Sequence, residues 1–132
     1  MEKNTKVALV TGASRGIGAA IAQRLAQDGF AVALNYSGDA ASAQAVQSAI
    51  EASGGHAILV RGDVSLTEDV RQIFAVTQAQ LGQVDVLVNN AGRAVRKPFA
   101  EFSDEDFDSV LGTNLRGVFL TLREAATRLR DG

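Results

Sequence analysis

The chain contains no cysteine and no tryptophan, and it has one proline, one histidine and one tyrosine among its 132 residues. Without cysteine there is no disulfide and no thiolate metal site, and a single histidine excludes a zinc site built from several histidines. We therefore expect no bound metal. No apolar run approaches the ~20 residues of a membrane span. The segment Met1–Lys6 has no apolar core behind its charges, so it does not resemble a signal peptide. These absences favour a cytoplasmic protein that does not enter a membrane.

An excess of positive charge is also missing. Lys and Arg number 13 against 15 Asp and Glu, so the net charge is −2. This balance gives no support for a nucleic-acid-binding surface or for a surface that binds anionic lipid. The hydrophobic fraction of 46% is ordinary for a globular protein, and 132 residues suffice for one domain, residues 1–132, with one core.

Apolar runs alternate with helical patterns along the chain. The sequence predicts strands at 6–11, 30–36, 56–61 and 84–88. It predicts helices at 16–28 and 40–53, a third that a Ser65–Glu68 capping box opens and Gly82 ends, a fourth starting near Ser103, and a last one at 113–130. The apolar stripe of that last helix is expected to comprise Leu115, Val118, Phe119, Leu122, Ala126 and Leu129. Strands alternating with helices predict an α/β fold with a parallel, doubly wound sheet.

The first strand leads directly into a glycine-rich turn. Thr11 is followed by the spacing Gly-x-x-x-Gly-x-Gly, and then by a helical pattern. Gly12 can reverse the chain, Gly16 can let a ligand approach the backbone, and Gly18 can let the helix lie close to the strand. The free amides of the helix's first turn suit a phosphate group. An ordinary glycine turn is the alternative. The turn's candidate binding residues are Gly12, Ser14, Arg15, Gly16, Ile17 and Gly18.

Polar and glycine residues also follow the other predicted strands. They form three further groups: Asn35, Tyr36 and Ser37; Arg61 to Val64; and Asn89 to Gly92. The carboxyl ends of parallel strands meet at one edge of the sheet, where ligands of such folds bind. Four loops therefore converge on one predicted site, which a random glycine turn does not explain.

These motifs, in this order and spacing, resemble the N-terminal half of a short-chain dehydrogenase/reductase. Within that family, the motifs are most similar to those of NADP-dependent 3-oxoacyl-carrier-protein reductases and related sugar and alcohol dehydrogenases. The resemblance implies a partial Rossmann fold with strand order 3-2-1-4, cut off before a fifth strand, and hydride transfer between NADPH and a small ketone or alcohol. It also implies roles for single residues. Asp63 accepts a hydrogen bond from the adenine amino group and the Val64 amide serves a ring nitrogen. Asn90, Ala91 and Gly92 line the ribose and nicotinamide, while Asn89 supports the sheet.

Asn114 is the candidate catalytic residue. It lies in the first turn of the predicted last helix, where Asn is a good cap, but Thr113 could cap equally well. The resemblance implies that Asn114 bends the helix around a water molecule and holds a proton relay.

The second strand ends without an acidic residue. NAD enzymes of this type usually hold the ribose hydroxyls with an acid at this point, but Asn35 and Tyr36 are neutral, and Asp39 is expected to cap a helix. Arg15 can meet a 2′-phosphate instead. We therefore expect NADP, with NAD as the alternative.

The chain lacks the tyrosine and lysine pair that carries catalysis in such enzymes. The family pattern has a serine, and a tyrosine and lysine four residues apart. The only tyrosine here is Tyr36, and Ala40 stands four residues on. The resemblance therefore implies a shortened chain that is inactive alone. The strand at 84–88 would then be an open apolar edge of the sheet, so the chain is expected to form homo-oligomers. The alternative is a non-catalytic nucleotide-binding or oligomerising module. A flavodoxin-like binder would need a Ser/Thr-rich phosphate loop and flanking aromatics, and a P-loop would need Lys-Ser/Thr after its glycine; the sequence has neither.

Overall fold

The computed structural model describes residues 5–131 of the chain. The prediction for the N-terminal segment therefore falls mostly on Met1–Asn4, outside the described residues. Within residues 5–131, four strands and five helices follow one another, with a 3₁₀ turn and a π-helical segment. Their bounds are β1 Val7–Val10, α1 Gly16–Gln27, β2 Ala31–Tyr36, α2 Ala40–Ala52, β3 His56–Arg61, α3 Thr67–Leu81, β4 Val86–Val88, the 3₁₀ turn Phe99–Glu101, α4 Asp104–Leu111, the π segment Gly112–Arg116 and α5 Gly117–Arg128.

The four strands form one parallel sheet with the order β3-β2-β1-β4. This confirms the α/β class and the 3-2-1-4 order. In the register, Val10 lies beside both Leu34 and Val88, and Leu34 lies beside Leu59. The carboxyl ends of all four strands therefore lie at the same edge, which positions the loops that follow them.

Helices cover both faces of the sheet, as the unbroken apolar character of β1 predicts. On one face Val10, Val32 and Leu34 pack with α1 and α2. On the other, Val7 and Leu9 pack with α3 and α5. Each fully buried side chain of this size contributes about 1.5–3 kcal/mol relative to exposure, so the two layers hold the strand ends in fixed relation.

The start of α3 differs from the prediction. The capping box expected from Ser65 and Glu68 is not formed; the residue before the helix is Leu66, which makes no side-chain cap. The Ser65 amide and hydroxyl instead donate to Oδ1 of Asp63, at 2.9 and 2.7 Å. Asp63 lies two residues upstream and offers a charged acceptor, so the local Asx turn takes the serine away from the helix. A capping box does form at α4, between Ser103 and Asp106.

The last helix also differs from the prediction. It does not begin at residue 113, because Leu111, Gly112 and Gly117 all keep right-handed helical backbone angles. The chain is helical without interruption from Asp104 to Arg128, and the π segment lies within it. Asn114 is therefore in the middle of a long helix rather than in a first turn, and neither it nor Thr113 is a cap.

The predicted apolar stripe of this helix is largely exposed and is not the face that packs in the core. Leu115, Phe119 and Leu122 are 64, 57 and 53% exposed, whereas Gly117, Leu120 and Thr121 are buried. The exposed residues continue at helical spacing from Leu111 and Leu115 to Phe119 and Leu122, so they form one face. The buried residues form the adjoining face, and spacing alone does not decide which of the two packs on the sheet.

Candidate functional site

The glycine turn after β1 is held by close backbone contacts. Gly12 and Gly16 have φ of +61° and +60°, a left-handed conformation that favours glycine. A Cβ on Gly12 would lie 2.8 Å from Cα of Ala91, and a Cβ on Gly18 would collide with the Gly12 carbonyl oxygen and Nδ2 of Asn90. The structure therefore gives Gly12 and Gly18 the roles that the sequence predicted for them, a chain reversal and a close helix approach.

Asn35 fastens the ends of three strands. Its Oδ1 accepts from the Gly12 amide at 3.3 Å, and its Nδ2 donates to the carbonyls of Val60 and Gly62 at 3.1 and 3.2 Å. The side chain is 2% exposed. Its polar side-chain atoms are thus bonded within the protein, and Asn35 supports the wall of the site. Its predicted contact with a cofactor stays a prediction.

Thr11 ties β1 to the loop after β4. Its Oγ1 accepts from the amides of Asn90 and Ala91, both at 3.0 Å, and Nδ2 of Asn90 donates to the Gly12 carbonyl at 2.9 Å. Thr11 is 1% exposed. This network brings two of the four predicted loops against each other.

These loops surround a cleft of about 710 Å³ at the carboxyl edge of the sheet. Eleven of the fourteen predicted cofactor-binding residues line it: Gly12, Ser14, Arg15, Asn35, Tyr36, Ser37, Asp63, Val64, Asn90, Ala91 and Gly92. The sequence missed five others, namely Gly38, Asp39, Gly62, Arg93 and Thr113. Gly38, Gly62 and Arg93 directly adjoin predicted residues, and Asp39 is one residue further on, so wider loop boundaries would have included these four. Thr113 was missed because it was interpreted as a helix cap.

The remaining predicted residues lie just outside this lining. Gly16, Ile17 and Gly18 form the first turn of α1. The side chain of Ile17 is 74% exposed, and nothing lies within 4 Å of a Cβ built on Gly16. The amides of a first helical turn have no partner within the helix, so these residues offer backbone donors rather than side chains, and the open space lies at Gly16.

The turn after β3 holds Asp63 firmly. Its amide donates to Oδ2 of Asp69 at 2.9 Å, while its own Oδ1 accepts both bonds from Ser65. A carboxylate that is held by two bonds to one of its oxygens has a fixed direction in the cleft. Asp63 therefore forms the turn together with Ser65, which the sequence had predicted as a helix cap.

Asn114 is bound to the loop after β4. Its Oδ1 accepts from the Arg93 amide at 2.7 Å, and its Nδ2 donates to the Arg93 carbonyl at 2.9 Å. The side-chain amide pairs with this backbone as a neighbouring strand would. Asn114 is thus a positioning residue for the loop, and the π segment brings Thr113 to the cleft beside it.

Opposite charges meet at the mouth of the cleft. Hydrogen bonds from the hydroxyl and amide of Ser42 lower the pKa of Asp39, and Arg15 lowers it further. Asp39 caps α2, as the sequence predicted, with Oδ1 accepting from the Ser42 amide at 3.0 Å. Its carboxylate is therefore occupied by its own helix, while Arg15 acts on it through its charge. In the loop after β4, Lys97 binds Asp106 at 2.6 Å and lowers the pKa of that carboxyl.

Within residues 5–131, no three His, Cys, Asp or Glu side chains cluster so as to hold a metal ion. No helix in that range is long and apolar enough to cross a bilayer. A glycine turn, a helix N-terminus and a polar cleft at the carboxyl edge of a parallel sheet define a nucleotide-binding α/β protein.

Comparison with known proteins agrees with that class. The family model for short chain dehydrogenases matches residues 6–132. An uncharacterised oxidoreductase of Methylorubrum extorquens is 45% identical over 127 residues, and a 3-oxoacyl-(acyl-carrier-protein) reductase of Staphylococcus aureus is 40% identical over 127 residues. Each match covers 96% of this chain but 51 and 52% of the relative. The chain therefore spans about half the length of the curated relatives it matches.

Solved structures show the same likeness. A dehydrogenase/reductase from Sinorhizobium meliloti superposes with a TM-score of 0.91 at 48% identity, covering 96% of this chain and 50% of that one. A short chain dehydrogenase from Burkholderia cenocepacia, solved in complex with NADP, gives 0.90 at 43% identity, with 96 and 51% covered. This chain belongs to the short-chain dehydrogenase family of oxidoreductases.

Proposed function

We propose that these residues form the nucleotide-binding half of an NADP-dependent oxidoreductase that interconverts ketones and alcohols. The observation that carries the proposal is the cleft, in which a glycine turn and Arg15 face the Asp63–Val64 turn across one polar space. The likeness to a dehydrogenase solved with NADP supports a nicotinamide dinucleotide as the ligand.

The residues present fit that ligand. Nothing lies within 4 Å of a Cβ built on Gly16, so a ligand can approach the backbone of the glycine turn there. The first-turn amides of α1 suit the pyrophosphate, and Asp63 suits the adenine amino group. Ala91 and Gly92 suit the ribose and nicotinamide. When bound, the cofactor supplies the hydride, while the protein orients it.

Arg15 is proposed to select NADP over NAD. Asp39 is the acidic side chain nearest the turn after β2, and it is bound by Ser42. It is therefore not free to hold two ribose hydroxyls, and the exposed guanidinium of Arg15 can meet a 2′-phosphate as a charge-assisted pair.

We expect Arg15→Ala to weaken NADPH binding by about ten-fold or more, because a hydrogen bond to a charged group contributes roughly 1.5–3 kcal/mol. NADH binding should change little. The measurement is calorimetric titration of both cofactors. Arg24→Ala is the matched control, since Arg24 is an exposed arginine on the same helix that pairs with Asp28. An equal loss of affinity for NADPH and NADH would show that Arg15 does not bind the 2′-phosphate.

In the whole enzyme, Asn114 is proposed to serve the proton relay. Its side chain is bound to Arg93, so it acts by holding the bend of the helix and the loop, while a backbone carbonyl in the π segment can accept from a water molecule. These residues are proposed to bind cofactor without turnover when they act alone, since they contain no Tyr-x-x-x-Lys.

A second proposal, self-association, rests on an apolar helix face. Phe107, Leu111, Leu115, Phe119 and Leu122 are exposed along α4, the π segment and α5. In addition, β4 is an edge of the sheet, and an open edge invites pairing. Contiguous exposed apolar surface of this kind marks interaction sites. The proposed occupant is a second copy of the chain.

Light scattering is expected to show a dimer or larger assembly, and Phe119→Ser should reduce its mass, because that ring is 57% exposed and not needed for the core. Leu66→Ser, which changes a 52% exposed leucine elsewhere, should leave the mass unchanged. A monodisperse monomer at high concentration of the unmodified chain would contradict self-association.

A further inference from the structure

One side chain, that of Arg116, fastens the turn at Asp63–Ser65 to the π segment. Its Nε donates to the Ser65 carbonyl oxygen at 3.1 Å. Ser65 in turn donates from its amide and its hydroxyl to Oδ1 of Asp63. A continuous path of hydrogen bonds therefore joins Arg116 to the carboxylate in the cleft.

The two segments are also packed closely. A Cβ on Gly117 would lie 2.7 Å from Cγ2 of Val64, and a Cβ on Gly112 would lie 3.5 Å from Cβ of Ser65. The glycines at both ends of the π segment thus let the turn lie directly on the helix. These contacts set the distance between the two segments, and the directional bond from Arg116 fixes how the turn is oriented.

We propose that Arg116 is a positioning residue for adenine recognition. By holding Ser65, it fixes the direction of the Asp63 carboxylate toward the adenine amino group. The same helical segment carries Asn114, which holds Arg93 at the other end of the cleft. Arg116 and Asn114 together tie the adenine side and the nicotinamide side of the cleft to one rigid element. This inference rests on the proposed function, because it requires a cofactor whose adenine reaches Asp63.

The position of Arg116 makes the idea testable without damaging the core. The residue is exposed and its neighbour Gly117 provides the buried contact. Arg116→Met keeps a long, helix-favouring side chain and removes every donor. The adjoining fold should therefore persist while the bond to Ser65 is lost.

The experiment compares NADPH with its hypoxanthine analogue, in which a carbonyl replaces the adenine amino group. The unmodified chain should bind NADPH about ten-fold more tightly than the analogue, the ratio expected for one hydrogen bond to a charged acceptor. Arg116→Met should bring the two affinities together, chiefly by weakening NADPH binding. If Arg116 served stability alone, Arg116→Met would weaken the binding of both ligands equally. The ratio of the two affinities would then stay unchanged.

Two further variants sharpen the test. Arg123→Met is the matched control, since Arg123 is an exposed arginine on the same helix and its guanidinium lies over the Phe119 ring. The ratio of NADPH affinity to analogue affinity should stay as in the unmodified chain. Ser65→Ala removes the hydroxyl bond to Asp63 and should lower the ratio. Combined with Arg116→Met it should add little, because both variants interrupt one path.

The outcomes separate the two proposals. If the unmodified chain binds NADPH and prefers it to the analogue, but Arg116→Met keeps that preference, the role of Arg116 is wrong and the proposed function stands. Binding without any preference also overturns the role of Arg116. If the unmodified chain does not bind NADPH, the proposed function and this inference both fail.

Discussion

Gly18→Ala is expected to destabilise the chain by several kcal/mol, close to its whole stability. An added Cβ would meet the Gly12 carbonyl oxygen and Nδ2 of Asn90. Neither partner can move freely, because the Asn90 amide donates to that same carbonyl at 2.9 Å. Overpacking a well-filled site costs about 1–3 kcal/mol and more where backbone must shift. A whole domain has only about 5–15 kcal/mol.

The measurement is the urea midpoint of unfolding followed by circular dichroism. Two glycines provide graded controls. Gly16→Ala should cost about 1–2 kcal/mol, the usual penalty for a left-handed residue with a Cβ, since its φ is +60° and nothing lies within 4 Å. Gly38→Ala should change stability by less than about 0.5 kcal/mol, because the site is open and no positive φ is required. Equal midpoints for Gly18→Ala and Gly38→Ala would refute the close approach of α1 to the turn.

The second large expected effect is the absence of turnover by these residues alone. Reduction of a ketone needs a proton delivered as the hydride arrives, and a positioned general acid contributes about 10²–10⁴-fold. Stabilisation of the developing oxyanion contributes a comparable factor. Asn114 does not titrate, and both polar atoms of its side chain are bonded to Arg93. Tyr36 lies at the end of β2, on the proposed adenosine side.

NADPH oxidation with a panel of ketones and acetoacetyl thioesters should therefore stay at background, while NADPH itself binds. A full-length family reductase serves as the positive control for the assay. Turnover that survives rigorous purification and falls in Asn114→Ala would contradict this expectation, and it would mean that the chain's own residues complete the chemistry.

The sequence was most informative where chemistry is local. The glycine spacing after Thr11 predicted the turn, and the structure places the reversal at Gly12 and the close contact at Gly18. Alternation of strands and helices predicted a parallel sheet, and the resemblance supplied the order 3-2-1-4. Both are confirmed. Asp39 as a helix cap is confirmed by its bond to the Ser42 amide.

The sequence was least informative where two local choices compete. Ser65 could cap a helix or join an Asx turn, and the nearby Asp63 carboxylate decided for the turn. The sequence predicts Asn114 as a cap because Asn is unfavourable in helix interiors. In the structure its side-chain amide bonds to Arg93, a residue 21 positions away. No local pattern contains that partner.

The apolar stripe of the last helix was a third such choice. Two adjoining faces of α5 carry apolar residues; the one with Leu120 packs in the core, while the one with Phe119 and Leu122 stays exposed. Cofactor selectivity, the substrate class, self-association, a cytoplasmic location and the single-domain boundary 1–132 stay predictions, because they depend on ligands, partners and surroundings outside these residues.

The most direct test of the central claim is an NMR titration of the ¹⁵N-labelled chain with NADPH, which reports where the ligand binds. We predict that amide shifts concentrate in the glycine turn from Gly12 to Gly18, at Asp63–Val64 and around Ala91–Gly92, all on the carboxyl edge of the sheet. Shifts confined to the apolar face of α4 and α5, or no shifts at cofactor concentrations that saturate a control reductase, would contradict the account.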